Sequence, residues 1–358
     1  MAVFCLSIFK QNKRHENHFE PTISILIAAY NEETGIEQTI LNKLDLSYPK
    51  NKLEIIVISD ESTDNTDAIV KQYESKNVRL IRQIPRAGKT SALNRAVNDA
   101  KGEILVFSDA NSIYSKDALA KLVRNFSDPE VGYVTGKMIY TNENGSVIGD
   151  GCSAYMKYEN YLRRLETKIG SVVGVDGGID AIRKKLYQHM NPDQLPDFVL
   201  PLKVIEQGYK VVYEPDALLK EQSLNTSSDE YRMRVRVSLR ALWALYDMRR
   251  LLWHKNYLFS WQLWSHKVLR YLCFIFLVLA LVSNFVLSFS NPFFTGVFVL
   301  QLLFYTSVFV FHALQKKGIQ SKILYFSYYF VLLNIASASA TIKFLFRQKM
   351  VIWTPRKG

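Results

Sequence analysis

TISILIAAYNEE, residues 22–33, opens with a near-continuous apolar run that ends in small residues and then turns abruptly polar. Three more stretches share this layout. LEIIVIS at 53–59 leads into SDESTDNT, VRLIRQI at 78–84 into RAGKTSALN, and EILVFS at 103–108 into SDAN. Runs rich in Ile, Val and Leu, without polar alternation, predict strands of a parallel sheet covered on both faces. The amphipathic stretches between them predict crossover helices at 33–46, from about 64 to 73, and from about 90. The expected fold class is α/β, a Rossmann-like sheet with helices on both faces. In such sheets ligands bind beyond the carboxyl ends of the strands, where the polar tetrads fall.

Outward from this core, 132–220 is more mixed. It holds a predicted helix at about 154–168, the Gly-rich turn VDGG at 175–178 and a helix after Asp197. The segment 229–270 is basic and aromatic, with Trp243, Trp253, Trp261 and Trp264. That mixture predicts helices lying at a bilayer surface. Between Tyr271 and Gln315 no residue is formally charged. The run is long enough for two crossings of a hydrocarbon core about 30 Å thick. Residues 288–292 supply the turn. A third apolar stretch, 323–342, contains NIASASAT at 334–341, whose small polar residues suggest a break or a re-entrant loop. The expected division is an N-terminal segment at 1–20, a catalytic domain at 21–228, interfacial helices at 229–270, a membrane region of two or three spans at 271–346 and a basic tail at 347–358. MAVFCLSIF at the start is too short to span a bilayer and lacks a signal-peptide layout, and reads as a short surface anchor or the remnant of a longer segment.

The net charge of +12 leaves nucleic acid and anionic membrane as candidate partners. Arg249, Arg250, Lys255, Lys267, Arg270, Lys343, Arg347 and Lys349 flank apolar segments. That placement favours lipid headgroups and argues against nucleic acid. Three crossings would put the tail residues Arg347, Lys349, Arg356 and Lys357 opposite the catalytic domain, against the positive-inside tendency. Three widely spaced cysteines, Cys5, Cys152 and Cys273, give neither a disulfide framework nor a zinc pattern.

The polar tetrads carry the chemistry. Ala29 and its neighbours let a planar base approach the backbone, with Tyr30, Asn31 and Glu32 at its edge, although Asn–Glu is also an ordinary helix start. Asp60 ends the second strand and can accept hydrogen bonds from a base or ribose, while Ser62–Asp64 suit helix capping. GKT at 88–90 is not a P-loop, because the glycine required five positions earlier is Gln83. What remains is a basic turn, with Arg86 and Lys89, at a helix N-terminus. Such a turn suits a diphosphate or is simply solvated. Asp109 and Asn111, two positions apart at a strand end, can reach one hard cation that bridges a diphosphate. Asp197 opens an apolar helix and serves either as its cap or as a base that takes a proton from an attacking hydroxyl. YRMRVR at 231–236 offers arginine forks for a diphosphate or for lipid.

In this order the motifs resemble family 2 glycosyltransferases with a GT-A fold, in particular the membrane-bound hyaluronan-, chitin- and cellulose-synthase-like group. The resemblance covers about 22–236. It implies an inverting transfer from a nucleotide-sugar donor, a UDP-sugar, to a saccharide or lipid-linked acceptor in cell-surface polysaccharide synthesis. It also implies Mg2+ or Mn2+ as cofactor and a multi-pass membrane protein whose catalytic domain faces the cytoplasm. It assigns Ala29–Glu32, Asp60, Lys89, Asp109 and Arg234 to the donor, Asp109 and Asn111 to the metal, Asp176, Gly177 and Gly178 to the acceptor, and catalysis to Asp197. The departures are a DxN in place of DxD, Pro196 before the catalytic aspartate, and a QxxRW segment that lacks its glutamine and tryptophan. Few spans for a secretion channel imply a partner subunit for export. Two rival readings are a nucleotidyltransferase on a similar sheet, and a catalytically silent membrane protein that binds nucleotide sugar or partner subunits.

Overall fold

The computed structural model of the chain describes residues 19–141, 147–222, 227–316 and 321–351. The N-terminal MAVFCLSIF, with Cys5, and the tail residues Arg356 and Lys357 lie outside the described residues. The four apolar runs form β1 (Ile23–Ala29), β2 (Leu53–Asp60), β3 (Val78–Gln83) and β4 (Ile104–Asp109). Helices α1 (Ile36–Leu44), α2 (Thr66–Lys71) and α3 (Lys89–Asp99) connect them. β1 pairs in parallel with β2 and β4, and β2 with β3. Every residue of β1 and β2 is buried, the signature of a sheet covered on both sides.

After β4 come β5 (Ile113–Tyr114), α4 (Ala118–Val123), β6 (Val131–Thr141), α5 (Val147–Ile169), β7 (Ile179–Arg183), α6 (Pro196–Glu206) and β8 (Lys210–Gln222). They complete an eight-stranded sheet in the order β3-β2-β1-β4-β7-β6-β8-β5. β7 runs antiparallel to both β4 and β6, so the sheet is mixed. The continuous apolar runs therefore mark only its parallel half.

Alternate residues feed two cores. Leu26, Ile56 and Leu105 pack against Ala92, Leu93 and Ala96 of α3 and Val199 and Leu202 of α6. Ile25, Ile55 and Val106 pack on the other side against Ile36 and Ile40 of α1 and Leu119 and Leu122 of α4. Each such side chain removed from water contributes about 1.5–3 kcal/mol.

The C-terminal part is helical: α7 (Ser227–Asp247), α8 (Tyr257–Tyr271), α9 (Cys273–Ser288), α10 (Pro292–Lys316) and α11 (Lys322–Leu345). Pro292–Gln315 and Leu324–Leu345 are long and apolar enough to cross a membrane. α8 and α9 add a third span if they are counted as one helix bent by 62°. Asn284 donates to Gln301 at 3.0 Å between α9 and α10, a polar tie between two otherwise apolar helices.

Two expectations change here. The segment 229–270 is not uniform: Leu239, Ala241, Ala244 and Leu245 of α7 join the sheet's core, whereas Trp253 beyond it is 81% exposed. The small-residue stretch 334–341 is not a break, because α11 is continuous through it. Ala336 and Ala340 are fully buried, and small side chains let helices approach closely. The hydroxyls are satisfied locally, Thr341 by the Ser337 carbonyl at 2.9 Å and Ser339 by Tyr231 of α7 at 2.8 Å. The break falls instead at Leu272, between α8 and α9.

α7 and α11 run side by side in the same direction. Arg234 in the first half of α7 meets Tyr329 in the first half of α11 at 2.8 Å, and the Trp243 and Phe344 rings lie 4.7 Å apart near their ends. The chain after α11 then returns to the catalytic domain. Trp243 Nε1 donates to the Gln348 carbonyl at 2.8 Å, and Lys349 pairs with Asp193 at 2.5 Å.

Candidate functional site

Parallel registry gathers the strand ends on one edge. Ala28 lies opposite Asp109, Ala29 opposite Ser59, and Asp60 opposite Gln83. The loop after β1 is stitched to the loop after β2. Asn31 takes φ +51°, a left-handed conformation that asparagine tolerates well. Its amide donates to Ser62 Oγ at 3.1 Å and its side chain accepts from Thr63 N at 2.8 Å. Glu32 N donates to Thr66 Oγ1 at 2.8 Å. Asp64 accepts from Thr66 N at 3.0 Å, although the N-cap position of α2 falls on Asn65 and not within 62–64. The Arg86 guanidinium stacks 3.4 Å from the centroid of the Tyr30 ring.

Asp60 is placed differently from the expectation. It is fully buried and accepts from Ala87 N at 2.8 Å, Gly88 N at 2.9 Å and Gln83 Nε2 at 2.5 Å. In this arrangement it holds the basic turn and does not face the cavity. Gly88 takes φ +89° at the start of α3, and the Val351 carbonyl oxygen lies 3.0 Å from where a Cβ on it would stand. The C-terminal strand of chain thus touches the turn that carries Lys89.

Lys89 reaches across to Asp109 at 2.5 Å. Burial works to lower its ammonium, but Asp109, Asp197 and Asp180 outweigh that and hold it above its ordinary value. Asn111 is exposed beside Asp109. Among the described residues no three His, Cys, Asp or Glu side chains converge on a metal position. Asp109 and Asn111 nonetheless supply two hard oxygens, which fit Mg2+ or Mn2+ when substrate phosphates and water complete the shell.

A cavity of about 1200 Å³ opens between this edge and the C-terminal helices, with Glu32, Lys89, Asp109, Asn111, Asp176, Asp197 and Arg234 in its wall. Asp197 sits half-buried in the first turn of α6, after Pro196. The Gly-rich turn lies directly over it. Gly177 takes φ +82°, and a Cβ there would stand 2.5 Å from Asp197 Oδ2. Asp176, also in the wall, pairs with Arg163 at 2.5 Å and accepts from Met138 N at 3.1 Å. Gly178 accepts from the Tyr114 hydroxyl at 2.8 Å and supports the turn from behind.

Arg234 is in the wall but tied sideways, to Glu230 at 2.8 Å and to the Tyr329 hydroxyl of α11 at 2.8 Å. Later on the same helix, Arg240 was not singled out in the sequence, whereas Arg236 closes the YRMRVR run. Arg236 and Arg240, four apart and so on one face, also line the cavity. Arg240 donates to Thr90 Oγ1 and to the Asp193 carbonyl, each at 3.1 Å, and to the Gln194 carbonyl. Burial lowers its guanidinium to about 10, with Asp197 acting in the opposite sense. It thereby joins the basic turn to the loop before Asp197. Asp180, also overlooked, lies buried under the Gly turn and accepts from Gly177 N at 3.0 Å. Burial, together with the charges of Asp197 and Asp176 and against a hydrogen bond from Thr135, pushes its carboxyl up to about 7.

Residues 24–190 match the sequence model of glycosyl transferase family 2. The chain is 31% identical over 221 residues to a poly-beta-1,6-N-acetyl-D-glucosamine synthase of Staphylococcus aureus, covering 60% of this chain and 53% of that one. It is 30% identical over 246 residues to the probable glycosyltransferase YdaM of Bacillus subtilis, covering 64% and 58%. The chain thus spans somewhat more than half the length of these relatives. Among solved structures it is similar to a mannosyltransferase of Pyrobaculum calidifontis in complex with GDP-Man and Mn2+, with a TM-score of 0.69 over 97% of this chain and 94% of that one. At 19% identity this is a likeness of fold, and it agrees with the GT-A architecture that the family resemblance implies.

Proposed function

We propose that the protein is an inverting glycosyltransferase. It moves a sugar from a nucleotide-sugar donor, most simply a UDP-sugar, onto a saccharide or lipid-linked acceptor at a membrane. One observation carries this reading: Asp197 opens onto the same cavity as Lys89, Asp109 and Asn111. A base and a diphosphate-binding edge therefore face one reaction volume. The family match, and relatives named for polysaccharide synthesis and glycosyl transfer, support it.

In the proposed reaction the donor base lies along Ala29–Glu32, and its diphosphate meets Lys89 at the N-terminus of α3, where the helix dipole and backbone amides favour anions. Asp109 and Asn111 would hold a divalent cation, which supplies charge neutralisation to the leaving diphosphate. The acceptor hydroxyl gives its proton to the Asp197 carboxylate as its oxygen bonds to the anomeric carbon. The bond from that carbon to the diphosphate breaks on the opposite face, and the configuration inverts. Gly177 keeps the Asp197 carboxylate uncovered, and Arg240 fixes the loop from which it projects.

The proposed division remains a catalytic domain followed by interfacial and membrane helices, with the catalytic domain facing the cytoplasm. Lys349 contacts Asp193, so an even number of crossings separates them. In this proposal α9, continued from bent α8, and α10 supply two, and α11, though long and apolar enough to cross, lies along the membrane surface beside α7. This places the basic end of the chain on the catalytic side, consistent with the positive-inside tendency. The test is a panel of nucleotide sugars offered to the membrane-reconstituted protein, reading nucleoside diphosphate release and the mass of the product. Release of pyrophosphate, or no release with any donor, overturns the reading.

A further inference from the structure

The cavity is larger than the about 300–1,000 Å³ typical of a pocket for one small ligand. Its second half lies away from Asp109, and the reaction described above leaves its side chains unused. Three carboxylates there are each paired. Asp176 binds Arg163 at 2.5 Å, Glu166 binds His266 Nδ1 at 2.6 Å, and Glu159 binds Arg270 at 2.6 Å. Lys267 lies among them and, within the described residues, has neither a hydrogen bond nor an ion pair. Its ammonium stands 5.4 Å from the centroid of the Phe198 ring, next in the chain to Asp197. It also occupies the space 2.5 Å from where a Cβ on Gly174 would be, immediately before the Gly-rich turn. Burial, with Arg270 and Arg163 adding to it and Glu159 and Glu166 acting against it, lowers this ammonium to about 8.

Local structure aims these groups inward. Trp264–Val268 form a π-helical turn within α8, a distortion often found at functional sites. Ser265, His266 and Lys267 on that turn line the cavity. Immediately beyond, the chain bends at Leu272 into apolar α9. On the same side the cavity wall becomes apolar, with Leu162, Tyr271, Phe326, Phe330 and Leu333. A cation without a partner thus lies between the catalytic carboxylate and an apolar wall that continues into helices able to enter a bilayer.

We propose that this half of the cavity binds the acceptor, that the acceptor is a sugar carried on a membrane lipid through a phosphate, and that Lys267 receives the phosphate. The inference rests on the transferase reading and specifies its acceptor. The lipid chain lies along Tyr271 and α11, and the carried sugar extends towards Asp197. A hydroxyl of that sugar loses its proton to Asp197 and bonds to the donor's anomeric carbon. The departing electron pair goes to the nucleoside diphosphate, and the phosphate at Lys267 takes no part in bond making or breaking. An ammonium–phosphate contact is a charge-assisted hydrogen bond, among the stronger polar contacts available in a partly dry site.

The experiment uses the full chain in nanodiscs with the donor found in the panel. Three acceptors carry the same sugar: a long-chain glycosyl phosphate, a neutral long-chain glycoside, and a water-soluble glycosyl phosphate. Nucleoside diphosphate release and product mass are read for each. The expected result is a kcat/KM at least tenfold higher for the long-chain phosphate than for either of the others. In Lys267→Gln the preference for phosphate over neutral lipid falls at least tenfold through KM, and Lys267→Arg restores it. Equal use of the neutral glycoside overturns the phosphate assignment, equal use of the soluble phosphate overturns the lipid assignment, and an unchanged preference in Lys267→Gln overturns the role of Lys267. A protein that releases no nucleoside diphosphate with any acceptor fails at the transferase reading itself.

Discussion

Gly177 and Asp197 are fitted so closely that a Cβ on the glycine would stand 2.5 Å from the carboxylate Oδ2 and 2.9 Å from its Cγ. The backbone at Gly177 is also left-handed, so alanine there is both strained and in collision. Gly177→Ala is expected to lower kcat about 100-fold, the scale of an ångström-sized misplacement of a catalytic group. Donor KM should change by less than about threefold, since no donor-side residue touches this turn. Steady-state kinetics on the purified variant check both numbers.

Asp197→Asn keeps the shape of the side chain and removes its basicity. Transfer is expected to fall by about two to four orders of magnitude. Equilibrium binding of the donor, measured by calorimetry, should persist. Near-normal turnover in this variant would move the base elsewhere.

Asp109 is shared between Lys89 and the proposed cation position. Chelating divalent ions is expected to stop transfer, and added Mn2+ or Mg2+ to restore it. Asp109→Asn should raise the metal concentration needed for half-maximal activity at least tenfold, because one of two protein oxygens loses its charge. A metal titration of the variant against the parent protein measures this.

Asp180 has its carboxyl raised to about 7 in the folded chain. Its unfolded value is about 3.9. Between these limits the folded state holds a proton that the unfolded state has released. Its contribution to stability is therefore full below about pH 4 and is lost as pH rises to about 7, with a slope of about 1.4 kcal/mol per unit. Asp180→Asn removes this dependence. Thermal unfolding of the two proteins should converge near pH 4 and diverge up to about pH 7, with the variant the more stable. Parallel curves across that range would contradict the assignment.

The ion pair between Lys349 and Asp193 constrains topology. In a chain with Cys5, Cys152 and Cys273 replaced by serine, single cysteines introduced by Lys71→Cys and Gln348→Cys are expected to react with an impermeant thiol reagent from one side of the vesicle. Asn291→Cys, in the turn between α9 and α10, should react from the other. Labelling of positions 71 and 348 from opposite sides would require an odd number of crossings.

The parallel half of the fold was legible because its strands are buried on both faces, which forces unbroken apolar runs such as ISILIAA at 23–29. The loops at their ends were legible too, because polar residues stop those runs abruptly. Lys89, Asp109 and Asn111, which follow those runs, line one cavity together with Asp197. Asp60 was misjudged because its position at a strand end says nothing about the turn that folds over it. Arg240 and Asp180 were invisible for a similar reason. Each matters through contacts with residues far along the chain, Thr90 in one case and Asp197 in the other. The stretch 334–341 was misread because small polar residues suit a helix seam as well as a break, and only the presence of α7 alongside decides between them.

The reversal of strand direction between β4 and β7 runs through the middle of the site. Everything proposed to grip the leaving group hangs from strands of one polarity, while Gly177 and Asp197 flank β7, the strand that runs against them. Mutations that retune which hydroxyl is glycosylated can therefore accumulate on one side of that seam while the nucleotide contacts stay as they are. A lineage carrying this sheet is free to diversify its products while keeping its fuel.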